Sequence, residues 1–153
     1  LAIENFMLSL GTLLGVIDSD PKFSMAPPFM RYLSEVAFIQ LGDASITGVP
    51  GELYPEIAVG GIENPAGADY VIAPQEVPHL RSQFPGKLNL MVNLANDSIG
   101  YIIPKSEWDE DAPWIYGENE ETYGEVVSLG PNTAPIIHEN LVKLVEESKN
   151  NSK

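Results

Sequence analysis

The segment Lys87–Leu94 (KLNLMVNL) is the strongest strand signal in the chain, and it constrains the fold more than any other stretch. A strand leaves its backbone donors and acceptors unsatisfied until it pairs, so the chain must contain a sheet. Val36–Leu41 (VAFIQL) and Ala44–Val49 (ASITGV) read as two further strands, and Gly42-Asp43 between them suits a tight hairpin. Ile99–Ile103 follows Lys87–Leu94 as another strand after a short Asn96-Asp97-Ser98 link, and Asp69–Ala73 reads as a short one. Helical spacing appears at both ends. Ile3, Phe6, Met7, Leu10, Leu13, Leu14 and Ile17 share one helix face, and Asp18–Pro21 ends that helix. Ala134–Lys149 is a second helix, with Ile137, Leu141, Leu144 and Val145 apolar and Asn132 or Thr133 as its N-cap. A short helix is expected over Glu52–Ala58, starting at the Pro50-Gly51 turn. Lys22–Met30 reads as an irregular connector, Pro74–Pro85 as loop with a helical turn, and Lys105–Glu125 as a long acidic loop. The sum is an α/β fold, a mixed sheet with flanking helices. Its 153 residues suit a single domain or a part of a larger one.

Charge removes several classes of function. The formal net charge of −14 repels phosphate backbones and argues against nucleic acid as a partner. It equally disfavours docking on anionic membranes. There is no cysteine, hence no disulfide framework, thiolate metal site or cysteine nucleophile.

Four stretches could carry chemistry. In Val49-Pro50-Gly51-Glu52, proline fixes the backbone, glycine permits a sharp reversal, and a carboxylate is presented at the end of an apolar strand. Strand ends are where sites in α/β proteins usually sit. From position alone, the plainer account is that Glu52 favours the N-terminus of the helix after it. The polar run from Asn93 to Tyr101 also follows an apolar strand; it could hydrogen-bond a ligand or simply form a turn. Tyr123-Gly124-Glu125 and Leu129-Gly130-Pro131-Asn132-Thr133 read most simply as a loop leading into a capped helix. Between Glu107 and Glu125 there are eight carboxylates and no basic residue. A calcium module centred on Asp109–Glu121 is conceivable, since calcium takes several oxygen ligands, but a solvated acidic loop is the simpler account. His79 and His138 do not have metal-ligand spacing, and His138 is expected on an exposed face.

In this order, Pro50-Gly51-Glu52, Asn96 to Tyr101, Tyr123-Gly124-Glu125 and Gly130-Pro131-Asn132-Thr133 resemble the C-terminal part of the catalytic domain of the neutral/alkaline ceramidase family. The resemblance covers residues 36–145. It implies a fragment of a larger α/β hydrolase that cleaves the amide bond of a lipid N-acyl amide with a zinc ion. The family holds zinc with two histidines, a glutamate and a tyrosine. Glu52 matches the glutamate of the Pro-Gly-Glu motif, and Tyr101 matches the tyrosine that closes the second motif. Asn96 and Tyr123 would shape the substrate site. The resemblance places the histidine ligands and the serine upstream of this chain, so the N-terminal part of the same protein is an implied partner. It also implies an exported protein. The chain departs from the family after the turn, where Leu53-Tyr54-Pro55-Glu56 replaces a Gly-Arg-Arg run, and at Ser98, where the family carries an aromatic residue. The family's terminal β-sandwich has no counterpart here. The competing account is a non-catalytic binding domain that keeps a hydrolase-like fold. The two separate on geometry: Glu52 and Tyr101 must lie close together to share a metal. An exposed sheet edge would also invite a second copy of the chain, a homo-oligomer.

Overall fold

The structure is a computed structural model that describes Ser19–Asp20 and residues 31–151. The helix expected over Leu1–Ile17 and the connector Lys22–Met30 lie outside these residues. The chain divides into two units, Leu1–Ser34 and Glu35–Lys153. In the first, β1 (Ser19–Asp20) and β2 (Arg31–Tyr32) pair antiparallel, Ser19 opposite Tyr32.

The second unit is mixed α/β: a small mixed sheet and a separate parallel pair, with helices packed against them. The hairpin forms as the sequence predicts. β3 (Ala37–Leu41) turns through Gly42, at a φ of 61° that glycine tolerates, into antiparallel β4 (Ala44–Gly48). β6 (Leu88–Val92) then lies parallel to β4 on its other side, giving the order β3-β4-β6. Lys87 anchors this register: its N–H donates to the Asp43 carbonyl at 2.8 Å and its ammonium pairs with the Asp43 carboxylate at 3.0 Å.

Side chains alternate across the sheet, and the register decides which ones share a face. Ser45 and Thr47 are fully buried, Phe38 and Met91 partly so, on the side where the Phe38 ring meets Phe84 at 5.9 Å. Ser45 and Asn89, opposite each other, hydrogen-bond side chain to side chain. The other face carries Ile39, Leu41, Leu88, Leu90 and Val92, all exposed.

The chain crosses from β4 to β5 (Glu52–Leu53) through Pro50-Gly51. Beside it, β6 leads to β7 (Tyr101–Ile102), parallel to β5. The strand expected over Ile99–Ile103 is therefore only two residues long. The helix expected from Glu52 begins later. Glu52 and Leu53 pair with β7, and α1 runs from Pro55 to Val59. Pro55 starts it because the first helical turn does not use the missing N–H. No strand forms at Asp69–Ala73. Asp69 instead donates its N–H to the Trp108 carbonyl at 3.0 Å and accepts the Glu110 N–H at 2.7 Å, while Val71 is 96% exposed.

After the short α2 (Leu80–Gln83), the last elements are α3 (Tyr123–Val126) and α4 (Thr133–Asn151). α4 matches the predicted helix. Ile137, Leu141 and Val145 fall one per turn and are buried in a core with Val49, Leu53, Ile57, Leu80 and Ile102. The Asn132 side chain is engaged by Lys105, whose ammonium donates to it at 2.8 Å. His138 is 7% exposed and donates through Nε2 to the Pro78 carbonyl at 2.9 Å. The expectation that it is exposed is corrected: it ties α4 to the Pro78 loop. Among the described residues, no helix is long and apolar enough to cross a membrane.

Candidate functional site

β5 and β7 are short because the chain is threaded tightly there. The Glu52 N–H donates to the Gly100 carbonyl at 2.9 Å, and the Tyr54 N–H donates to the Ile102 carbonyl at 3.1 Å. The Ile99 N–H reaches back to the Pro50 carbonyl at 2.9 Å. Two glycines make this approach possible. A Cβ on Gly51 would stand 2.4 Å from the Gly100 carbonyl oxygen. A Cβ on Gly100, where φ is +87°, would stand 1.7 Å from the Val127 carbonyl oxygen. Both motif glycines are thus demanded by backbone packing.

The consequence is a register in which Glu52 sits directly opposite Tyr101. The Tyr101 phenol is held above its ordinary pKa of 10.0, first by a hydrogen bond to the Glu52 carboxylate and then by that carboxylate's charge. Two residues that lie far apart in the chain, and that share no local pattern, meet at one point.

Rings surround this pair. Tyr54 packs edge-on against Tyr101 with centroids 6.2 Å apart, and Tyr123 does the same from another side at 6.0 Å. Tyr123 is 70% exposed. Asn96 lies outside the ring array, exposed on the link between β6 and β7 with a left-handed φ of 72°. The sequence reading missed Tyr54. Its signal was available: Glu52 and Tyr54 are two residues apart on an extended segment, so they project to the same side.

Behind Tyr54 lies a second layer made of carboxylates. Burial pushes the Tyr54 phenol up to about 12, with Glu125 and Glu107 adding to the shift. Gly124 lets this happen, since a Cβ there would come within 2.7 Å of the Tyr54 hydroxyl. Burial likewise raises Glu125 to about 7 and raises Glu107. The stretch Lys105–Glu125 is therefore only in part the solvated acidic loop the sequence suggested: Glu110, Asp111, Glu118, Glu120 and Glu121 are exposed. Glu107, Asp109 and Glu125 are buried, as is Glu76. Some of their oxygens staple backbone: Glu107 accepts the Glu63 N–H at 2.7 Å, and Asp109 accepts the Ile115 N–H at 3.0 Å, while Asp109 Oδ1 and Glu125 Oε2 are buried without a partner. Glu76 accepts the Lys105 N–H at 3.1 Å. Among the described residues, no three histidine, aspartate or glutamate side chains are grouped so that they could hold a metal ion. The calcium module at Asp109–Glu121 accordingly has no cage among them. His79 donates through Nδ1 to the Ala58 carbonyl at 3.1 Å, and neither histidine belongs to a group of three potential metal ligands among the described residues.

The chain matches no protein-family model, no curated protein and no solved structure.

Proposed function

We propose that this chain is the C-terminal part of a ceramidase-like, zinc-dependent amide hydrolase, and that Glu52 and Tyr101 supply two of its metal ligands. The observation that carries this reading is the Glu52–Tyr101 register, which puts a carboxylate and a phenol side by side on neighbouring strands. The donor set suits zinc. Carboxylate oxygen is a normal ligand, and a nearby cation lowers the pKa of a phenol enough for it to bind as the anion. Two ligands make half a site, since stable zinc centres use three or four protein ligands. The other ligands belong to the upstream part of the same protein. When bound, zinc polarises an amide carbonyl and activates water.

The chain's own residues do the positioning. Gly51 and Gly100 allow β5 and β7 to close, Glu52 and Tyr101 would hold the metal from facing strand positions, and Tyr54 buttresses the Tyr101 ring. Tyr123, exposed beside Tyr101, offers an apolar surface to a lipid N-acyl chain, and Asn96 offers an amide on the nearby link.

The experiment is metal content and lipid-amide hydrolysis in the longer polypeptide, before and after Glu52→Gln and Tyr101→Phe. Each substitution is expected to strip zinc and abolish hydrolysis. Unchanged zinc content and turnover in both variants would overturn the assignment. The 153-residue chain alone is expected to be inactive and to bind zinc weakly.

A further inference from the structure

A cleft of about 320 Å³, open to solvent, lies beside β5. Leu53 lines it; Glu52, which projects to the other side of the strand, does not. The remaining walls come from Ala58 and Val59 of α1, Arg81 of α2, and Met91 of β6, with Asn93 just beyond that strand. β4 and β6 run parallel, and Met91 and Asn93 lie at the carboxyl end of β6. That end of a parallel sheet is where α/β proteins bind their ligands. The volume falls at the lower end of small-molecule sites, which span roughly 300 to 1,000 Å³. The charge of the lining is unusual for this chain. No acidic residue lines the cleft, although the chain holds 22 of them. Leu53 is buried and Ala58 and Met91 are half-buried, while Arg81 and Asn93 are exposed at the edge. Arg81 is the one arginine after Arg31. Among the described residues, its guanidinium makes no ion pair and no side-chain hydrogen bond. Lys87, Lys105 and Lys149, by contrast, are engaged by Asp43, Asn132 and the Gln83 carbonyl.

We propose that this cleft binds a small carboxylate with an unbranched apolar tail, the carboxylate on Arg81 and Asn93 and the tail over Leu53, Ala58 and Met91. A guanidinium presents a planar fork of donors that fits both oxygens of a carboxylate, and the Asn93 amide adds a further donor. One arginine matches one negative charge. The net charge of −14 repels anything more highly charged, such as a phosphate ester. A neutral lipid would use the walls and leave the guanidinium idle, and an amine would meet Arg81 as a like charge. The apolar floor supplies affinity in proportion to the tail it covers. This site is separate from the Glu52–Tyr101 pair, and it stands or falls without the metal reading.

The experiment titrates octanoate into the 153-residue chain and follows isotope-labelled methionine methyl groups by NMR. The chain has four methionines, and Met91 is the one that lines the cleft; Met91→Leu assigns its signal. The Met91 signal is expected to shift and saturate with octanoate. Affinity is expected to rise roughly fourfold for each methylene added from butanoate to octanoate. Octanol, with the same tail and no charge, is expected to bind about tenfold more weakly. Arg81→Gln, at an exposed position, should bring octanoate down to the level of octanol and leave octanol unchanged. Glu52→Gln should change neither titration, which keeps this site apart from the metal pair. A Met91 signal that does not move overturns the inference. So does octanol that binds as tightly as octanoate, or an Arg81→Gln chain that binds octanoate undiminished. If Arg81→Gln disturbs folding, Val59→Glu serves instead, since Val59 is 51% exposed and lines the same cleft. The added carboxylate should abolish octanoate binding and spare octanol; octanoate binding that persists overturns the assignment.

Discussion

The outer sheet face and the segment Lys105–Glu125 both invert the usual rule, in opposite senses. One puts leucine and isoleucine outside; the other puts Glu107, Asp109 and Glu125 inside while its other carboxylates stay exposed. They differ in what happens to the groups so placed. Three of the buried carboxylates have local donors, though Asp109 Oδ1 and Glu125 Oε2 are buried without one. Glu107, Asp109 and Glu76 accept backbone N–H groups, and Thr122 adds its hydroxyl to Asp109 at 3.2 Å. A polar group under cover is tolerable when it is hydrogen-bonded, so Glu107 and Glu76 are accounted for within the chain. On the sheet face, Ile39, Leu41, Leu88 and Leu90 are more than half exposed, and apolar side chains in water can only be relieved by something else covering them. A buried carboxylate can be satisfied by donors a few residues away, whereas an exposed apolar side chain has no such local remedy.

That contrast can be tested region by region. The largest effect is expected at Asp109. Asp109→Ala strands the buried Ile115 N–H and takes an acceptor from the half-buried Thr122 hydroxyl, and should cost about 3 kcal/mol in urea unfolding at neutral pH. A loss within experimental error would mean that the carboxylate staples are not holding the segment.

Glu125 should behave oppositely. Its pKa is raised from 4.5 to about 7, chiefly by burial, so the folded chain keeps a proton that the unfolded chain releases. This contribution is fully present below about 4.5 and is lost as pH rises through 7. Glu125→Gln mimics the protonated form. It should raise stability by about 2 kcal/mol at pH 8 and leave it unchanged near pH 4. A variant equally stabilising at both pH values would show that the charge is not the cause.

On the sheet face, Leu90→Lys should change the stability of the 153-residue chain by less than about 0.5 kcal/mol, as an exposed position does. A large loss would place Leu90 in a core already formed within this chain. The smallest perturbation concerns the site itself. Glu52→Gln removes the charge and the strongest acceptor facing Tyr101, so phenolate absorbance should titrate at lower pH than in the unsubstituted chain. No movement would separate the two side chains.

The sequence by itself determined the local elements. Turn chemistry at Gly42-Asp43, the apolar strand around Leu90 and the one-per-turn spacing of Ile137, Leu141 and Val145 each act over a few residues. It also pointed to Glu52, Tyr101 and Tyr123, through motifs whose glycines prove to be steric requirements. It could not determine that Glu52 extends a strand before Pro55 opens a helix, because that choice depends on β7, which lies nearly fifty residues further on. Nor could it tell a buried carboxylate from a solvated one between Glu107 and Glu125, or show which face of β6 is covered. Burial and register are properties of neighbours brought together from distant parts of the chain. Only the tertiary structure decided them, and it placed Glu52 opposite Tyr101 by the same long-range pairing.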